Sequence, residues 1–370
     1  MFYISYYTTP DDARKSSPAA NAKTLSVAKS LASNGIDVEI LSTCTVASKG
    51  KFIKGRRFKV DDGIVCRQFS LFNTGFGPFR RLQYILANMR LFLILLFKAK
   101  KGENVLFYHA IERIQPILLA KKLKKFRLVL EVEEIYNDSL SITAKNAADE
   151  LKCFACADSY IFPTALLNEK INPTGKPFAV IHGTYEVEPV LATPKNDSVH
   201  IAYAGTLNPL KGCAEAIDAA EYLNEKYHLH ILGYGTPDQI EETKSHIEKI
   251  KEKTTCKITF EGLLSGKEYI AFLQGCHIGL SPQNPDAKFT DTSFPSKILS
   301  YMSNGLQVVS IEIPAIKTSD VGEYIHYFNE QTPQNIAQAI KSVDLKNVVD
   351  TREIISTLNK NFKEKIKEVL

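Results

Sequence analysis

Ser293-Phe294-Pro295-Ser296-Lys297-Ile298-Leu299-Ser300-Tyr301-Met302-Ser303-Asn304-Gly305-Leu306-Gln307-Val308-Val309-Ser310 reads as a polar loop, a helix over 295–304, a stop at Gly305 and a strand over Gln307–Ser310. Helical apolar spacing ends there at Gly305 and gives way to the Val308-Val309 pair, which reads as a helix feeding a strand. Outward from it the alternation repeats. Towards the N-terminus come strand Ile278–Leu280, helix Gly266–Gly275, strand Lys257–Phe260, helix Thr236–Lys253, strand His228–Leu232, helix Cys213–Tyr227 and strand His200–Tyr203. Towards the C-terminus a helix is expected over 333–342. Strands alternating with helices of this length predict a parallel, doubly wound sheet.

The first half carries the same pattern. Strands are expected at Phe2–Tyr7, Ile36–Leu41, Val65–Phe69, Val105–Tyr108, Leu128–Val132, Tyr160–Phe162 and Phe178–Ile181. Helices are expected over about 19–34, 80–98, 112–124 and 144–156. A chain of 370 residues is too long for one ordinary core and suits two. The expected organisation is α/β: a Rossmann-like, acceptor-side domain over 1–183, a polar linker over 184–198, a second Rossmann-like domain over 199–345, and a tail over 346–370. The tail ends in a basic amphipathic helix that packs back on the first domain.

Composition narrows the function classes. Hydrophobic content of 44% and charged content of 24% belong to a folded globular chain. Seven scattered cysteines, an odd number, suit reduced thiols in a cytoplasm, and the Cys153–Cys156 pair reads as packing within a helix. No signal-like start is present, so secretion is not expected. Net charge is +5, with no basic-aromatic module, so a nucleic-acid partner is not expected. The charge is uneven: 27 Lys and Arg face 18 Asp and Glu in residues 1–190, against 19 and 23 in the remainder. Basic clusters at Arg56-Arg57, Arg80-Arg81, Lys98 to Lys101 and Lys121 to Lys125 could meet an anionic membrane or a phosphate-bearing acceptor, or could simply be solvated helix ends. Residues 82–97 are the most apolar stretch and are too short and too interrupted to span a bilayer. They read as a helix packed under the sheet, with insertion into a bilayer surface as the alternative.

Three loops precede the quoted segment, each where a strand runs out. Ala204-Gly205-Thr206-Leu207-Asn208-Pro209-Leu210-Lys211-Gly212 turns a strand into a helix through small residues, a shape that lets backbone N–H groups face a phosphate while Lys211 adds a point charge. Gly233-Tyr234-Gly235 and Gly262-Leu263-Leu264-Ser265 end the next two strands at the same edge, where doubly wound folds place ligands. In this order, followed by the Phe294 to Lys297 turn, Gly305 and the Val-Val strand, residues 199–312 resemble the second domain of GT-B fold glycosyltransferases. The specific likeness is to the large bacterial retaining family, glycosyl transferases group 1 or family 4-like.

The resemblance implies two Rossmann-like domains facing across a cleft, and a nucleotide-sugar donor held by Gly205, Thr206, Lys211, Gly233, Gly235, Gly262, Thr292, Ser293, Phe294, Pro295, Ser296, Lys297 and Ser300. It implies transfer of the sugar to a glycan or lipid-linked acceptor in surface polysaccharide assembly, with retention of configuration. Neither a metal nor a cofactor is called for, because Lys211 and backbone N–H groups would meet the diphosphate; Asp11-Asp12 and Asp61-Asp62 are not read as metal ligands. The family's paired glutamates are replaced here by Thr292 and Ser300, and its arginine by Thr206; Asp291, beside the first slot, could supply the missing carboxylate. In the first domain the family's double glycine is absent. There Ser17 would allow close approach and Arg14 could reach phosphate, while His109 stands where the family often has a histidine near the donor sugar. Glu131, Glu133 and Glu134 end a buried strand; Glu133 or Glu134 is read as an acceptor contact or base, against salt bridges to Arg113 or Lys145. The rival function is a catalytically weakened GT-B protein serving as binding or scaffold partner of an active transferase.

Overall fold

The computed structural model describes residues 1–9, 11–15, 17–45, 52–72, 77–139, 142–287 and 292–370. The chain forms two compact units: Met1–Thr184 with Lys360–Leu370, and Tyr185–Asn359.

The first unit holds β1 (Phe2–Ser5), β2 (Val38–Ser42), β3 (Phe52–Ile53), β4 (Arg56–Asp61), β5 (Ile64–Gln68), β6 (Leu71–Phe72), β7 (Asn104–Tyr108), β8 (Arg127–Glu131), β9 (Ser159–Phe162) and β10 (Phe178–Val180). Eight of them make one sheet in the order β10-β9-β8-β7-β1-β2-β5-β4, and β3 pairs with β6. All pairings of the large sheet are parallel except β4 with β5. Its interior strands are buried on both faces, as near-continuous apolar runs in parallel sheets must be. Edge strand β4 was not expected from the sequence, because Arg56-Arg57-Phe58-Lys59 carries charges that read as loop. Those charges suit an exposed edge, which they protect from pairing with another chain. Asp61 and Asp62 belong to its tight hairpin turn, closed by Gly63 at φ 70°.

The second unit holds β11 (Val199–Thr206), β12 (Tyr227–Tyr234), β13 (Lys257–Gly262), β14 (Ile278–Ser281), β15 (Gln307–Ile311) and β16 (Ile325–Phe328), all parallel, in the order β13-β12-β11-β14-β15-β16. The order reverses between β11 and β14, and a crevice opens at such a switch point on the C-terminal edge. Residues 185–198, read as a linker, are held against this unit. Gln274 Oε1 accepts from the Leu191 and Ala192 N–H groups, and Gly275 O accepts from Lys195 N.

The helix Thr351–Lys365 starts on the second unit, where the Thr351 hydroxyl donates to Met302 O at 3.0 Å. Residues from Lys360 to the C-terminus belong to the first unit: Asn34 Nδ2 donates to Lys363 O at 2.7 Å, and Arg127 Nη1 to Leu370 O at 3.0 Å. Cys153 is buried at the end of helix Ala144–Cys156, its thiol pushed well up by burial, which is the behaviour of a packing residue. All seven cysteines are free thiols.

Helix Gly77–Lys98 buries Gln83, Ala87, Leu91 and Leu95 against the first sheet and leaves a second apolar stripe outside. On that stripe Phe79, Leu82, Ile85, Met89, Leu93 and Phe97 are each 39–77% exposed. The reading of this helix as packed under the sheet thus holds for one face only. No helix among the described residues is long and apolar enough to cross a membrane.

Candidate functional site

At the switch point of the second unit a cavity of about 360 Å³ is lined by Ala204, Gly205, Thr206, Lys211, Tyr234, Tyr269, Gln283, Phe294, Pro295, Ser296, Lys297 and Ser300. The ends of β11, β12 and β14 and the Phe294 turn meet there because these strands run parallel and finish at one edge, whereas the Gly262 loop after β13 is not in the lining. Register pairs Gly205 with Gly233, and a Cβ on Gly233 would stand 2.2 Å from Gly205 O, so only glycine allows the two strands to meet there. After Gly235, Thr236 begins helix Pro237–Lys251 with a capping box closed by Gln239.

The loop after β11 is held by tyrosines. Tyr203 OH donates to Thr206 O at 2.9 Å and lies 3.2 Å from Lys211 O. Tyr301, fully buried, accepts from Ala204 N at 2.8 Å and donates to Leu280 O at 3.1 Å, bridging the two strands that flank the switch point. Tyr269 OH lies 3.2 Å from Ser300 Oγ. Sequence reasoning missed Tyr203, Tyr234, Tyr269, Gln283 and Tyr301. The strand and helix tyrosines read as core, and only their hydroxyl partners reveal the bracing.

Gly212 closes the loop at φ 77°, and a Cβ there would stand 1.8 Å from Pro282 O. Gly212→Ala therefore combines left-handed strain with a backbone clash, and is expected to cost about 2–4 kcal/mol of stability by chemical denaturation. An unchanged denaturation midpoint would show that the loop is not packed in this way.

Lys297 dominates the electrostatics. Its Nζ is buried, has no hydrogen-bond partner among the described residues and sits 4.3 Å from the Tyr203 ring centroid. A Cβ on Gly205 would stand 3.3 Å from it, so the ammonium is aimed at the glycine loop. Burial, and then the neighbouring Lys211 charge, pull it down to about 7. An unpaired ammonium is costly unless an anion completes it. The cavity brings together two lysines and small residues that would admit a close approach, whereas the N–H groups of Leu207, Leu210, Lys211 and Gly212 donate to Tyr234 O, Asn208 Oδ1, Asn208 O and Pro209 O and are not left for a phosphate as the sequence suggested.

Other expected site residues are placed as follows. Gly233, Gly235 and Gly262 do not line the cavity, and Gly262 ends β13 at φ 71°. Thr292 and Ser293 are half-buried before Phe294, and Asp291 lies outside the described residues. Ser17 caps helix Pro18–Ser33. Arg14 does not reach out for phosphate. It is 5% exposed, and its guanidinium is spent on Asp12, Gln68 Oε1, Lys54 O and Phe69 O.

His109 is buried among Phe107, Tyr136 and Phe154, and burial pulls it down to about 4, so it is neutral at neutral pH. Glu133 pairs with Lys23 at 2.5 Å rather than with Arg113 or Lys145; Arg113 is occupied by Asn88 Oδ1 and Thr43 O. Glu131, fully buried, accepts from Tyr3 OH and is pushed up to about 7 by burial. Glu134 is half-buried and in no ion pair among the described residues.

Two units, each built on a largely parallel sheet of Rossmann type, are the architecture of the GT-B fold of glycosyltransferases. Residues 198–343 match the family model of Glycosyl transferases group 1, bearing out the resemblance seen in the sequence. Solved structures share the fold along the whole chain. An OtsA apo structure is 12% identical, with TM-score 0.68, and the match covers 99% of this chain and 98% of that one. Anabaena HepE, in complex with UDP and glucose, is 12% identical with TM-score 0.66 and the same coverage. A glycosyltransferase from Rickettsia africae is 14% identical with TM-score 0.61, covering 99% of this chain and 94% of that one. No curated protein matches the chain.

Proposed function

We propose that this protein transfers a sugar, with retention of configuration, from a nucleoside-diphosphate sugar to a glycan or lipid-linked acceptor in the assembly of a surface polysaccharide. The observation that carries this reading is the buried Lys297 ammonium, without a hydrogen-bond partner among the described residues, aimed at the Gly205 loop beside Lys211. As the donor's glycosidic bond breaks, negative charge grows on the leaving diphosphate. Lys211 and Lys297 stabilise it, which assigns the charge-neutralising role to protein groups and calls for no cofactor. Ser300, held by Tyr269, takes the ribose hydroxyls, and Glu134 in the first unit is the carboxylate assigned to the acceptor. The bound UDP in HepE puts UDP-sugars first among donors.

The test is a panel of UDP-, GDP- and dTDP-sugars, followed by thermal shift and nucleotide release, for wild type and Lys211→Ala. One donor should bind and turn over without added Mg²⁺ or Mn²⁺, with both effects lost in the variant. No binding by any donor would overturn the account of the cavity. Ser300 in place of a glutamate favours the rival reading of a weakened, scaffolding GT-B protein. Tight binding without turnover, with cell glycolipid extract present, would establish that rival.

The cellular place in this reading is the cytoplasmic face of a membrane. The exposed stripe Phe79 to Phe97 is flanked by Arg80, Arg81, Lys98, Lys100 and Lys101, an apolar face with a basic rim that suits an anionic bilayer. The protein should co-sediment with vesicles containing phosphatidylglycerol and be released by high salt. The double variant Ile85→Ser, Phe97→Ser should reduce binding at least about tenfold, since each side chain contributes about 1.5–3 kcal/mol when buried. Equal sedimentation with neutral phosphatidylcholine vesicles, or no loss in the variant, would refute this placement.

A further inference from the structure

Away from the donor cavity, at the N-terminal ends of β11 and β12, three histidines share one face of the second sheet. Register places His200 beside His228, and His230 lies two residues further along the same strand and so on the same side. All three are at most 7% exposed, and one ligand atom from each lies within 4.8 Å of the others. The site is five residues from Gly205 along β11, roughly 16 Å at the rise of a strand, so it is separate from the donor cavity.

The hydrogen bonds pose a proton-counting problem. His200 Nε2 faces Asp197 Oδ1 at 2.9 Å, and His230 Nδ1 faces Glu261 Oε1 at 2.8 Å. Carboxylates only accept, so each ring carries its proton on that outer nitrogen. The inner nitrogens, His200 Nδ1 and His230 Nε2, then point lone pairs at each other across 2.8 Å. Two neutral rings cannot hold that arrangement; a cation must lie between them, either an added proton or a metal ion. Carboxylate, histidine and metal in line is the arrangement by which proteins orient imidazole ligands. The third ring, His228, packs 3.8 Å from His230, centroid to centroid.

We infer that His200, His228 and His230 form a binding site for one divalent transition-metal ion of the zinc class, with Asp197 and Glu261 orienting two of the ligands and solvent completing the fourth position. Imidazole donors select this class over magnesium or calcium. Tetrahedral bonds of about 2.05 Å set the ligand nitrogens about 3.3 Å apart, so His200 and His230 open slightly and His228 swings in by a ring rotation.

The test uses the full chain without a histidine tag, stripped with EDTA, given one equivalent of Zn²⁺ or Co²⁺ and desalted, with metal counted by mass spectrometry. One ion per chain is expected, with the visible absorption of tetrahedral Co²⁺ and a thermal shift of several degrees. His228→Asn should lose the ion while still binding nucleotide. Glu261→Gln should keep the fold and bind metal about 10- to 100-fold more weakly. Should His228→Asn fail to fold, the Co²⁺ spectrum of the wild type and the Glu261→Gln affinity decide the matter. A wild-type chain that retains no metal, or metal retained equally by the variants, would overturn the inference and leave the histidine pair holding a proton.

Discussion

Lys297→Met is expected to lower kcat/KM by about 100- to 1,000-fold, the usual effect of removing one group that meets transition-state charge, while the melting temperature stays level or rises. The two halves of this result come from one fact. Lys297 Nζ is buried with no hydrogen-bond partner among the described residues, so without nucleotide it is a desolvated charge that the Tyr203 ring partly offsets. Methionine keeps the length and apolar stem and removes the charge, so the fold loses a strain and the reaction loses a cation. Such a residue trades stability for function. A variant that loses both activity and several degrees of melting temperature would mean that Lys297 is structural. A variant with wild-type kinetics would show that Lys297 does not meet the diphosphate.

Much of this site could be read from the chain, and the reasons are local. Gly205 and Gly233 end short apolar runs on paired strands, and in an all-parallel sheet such ends fall on one edge, so their two loops meet without any knowledge of contacts; Gly262 ends the outermost strand β13, and its loop does not line the cavity. The Phe294 to Lys297 turn followed the same logic. What the chain did not disclose depends on register or on long-range partners. Tyr301 lies in a helix and reads as core, yet its hydroxyl ties Ala204 to Leu280. His200 and His228 are far apart in sequence and become neighbours only through the β11–β12 pairing. Arg14 looked free in a polar loop, but β4 and β5 bring Lys54, Gln68 and Phe69 around it, and β4 was hidden by its charges. Glu133 found Lys23, a partner from a helix more than a hundred residues earlier, which no local pattern suggests.

Nucleotide affinity is expected to fall as pH rises above about 7, approaching tenfold per pH unit. The free site holds Lys297 near 7 because burial, with Lys211 close by, disfavours the ammonium. A bound diphosphate favours the ammonium, so the proton is held more tightly in the complex than in the free protein. Below pH 7 the proton is already present and affinity is at its plateau. Above pH 7 each binding event must take up a proton, and each unit of pH then costs about 1.4 kcal/mol of binding, until the pKa of the complex is reached.

The stability of the empty protein should slope the other way. An unfolded lysine titrates near 10.4, so between about 7 and 10 the unfolded chain binds more protons at this residue than the native one. Native stability from this group therefore rises with pH through that window, and the penalty of burying the charge is present in full below pH 7. Isothermal titration of the nucleotide at pH 6.5 and 8.5, in buffers of different ionisation enthalpy, reads the proton uptake directly. Lys297→Met should abolish both the uptake and the affinity slope. Wild-type affinity that is level from pH 6.5 to 8.5, with no proton taken up, would show that Lys297 does not meet the phosphate.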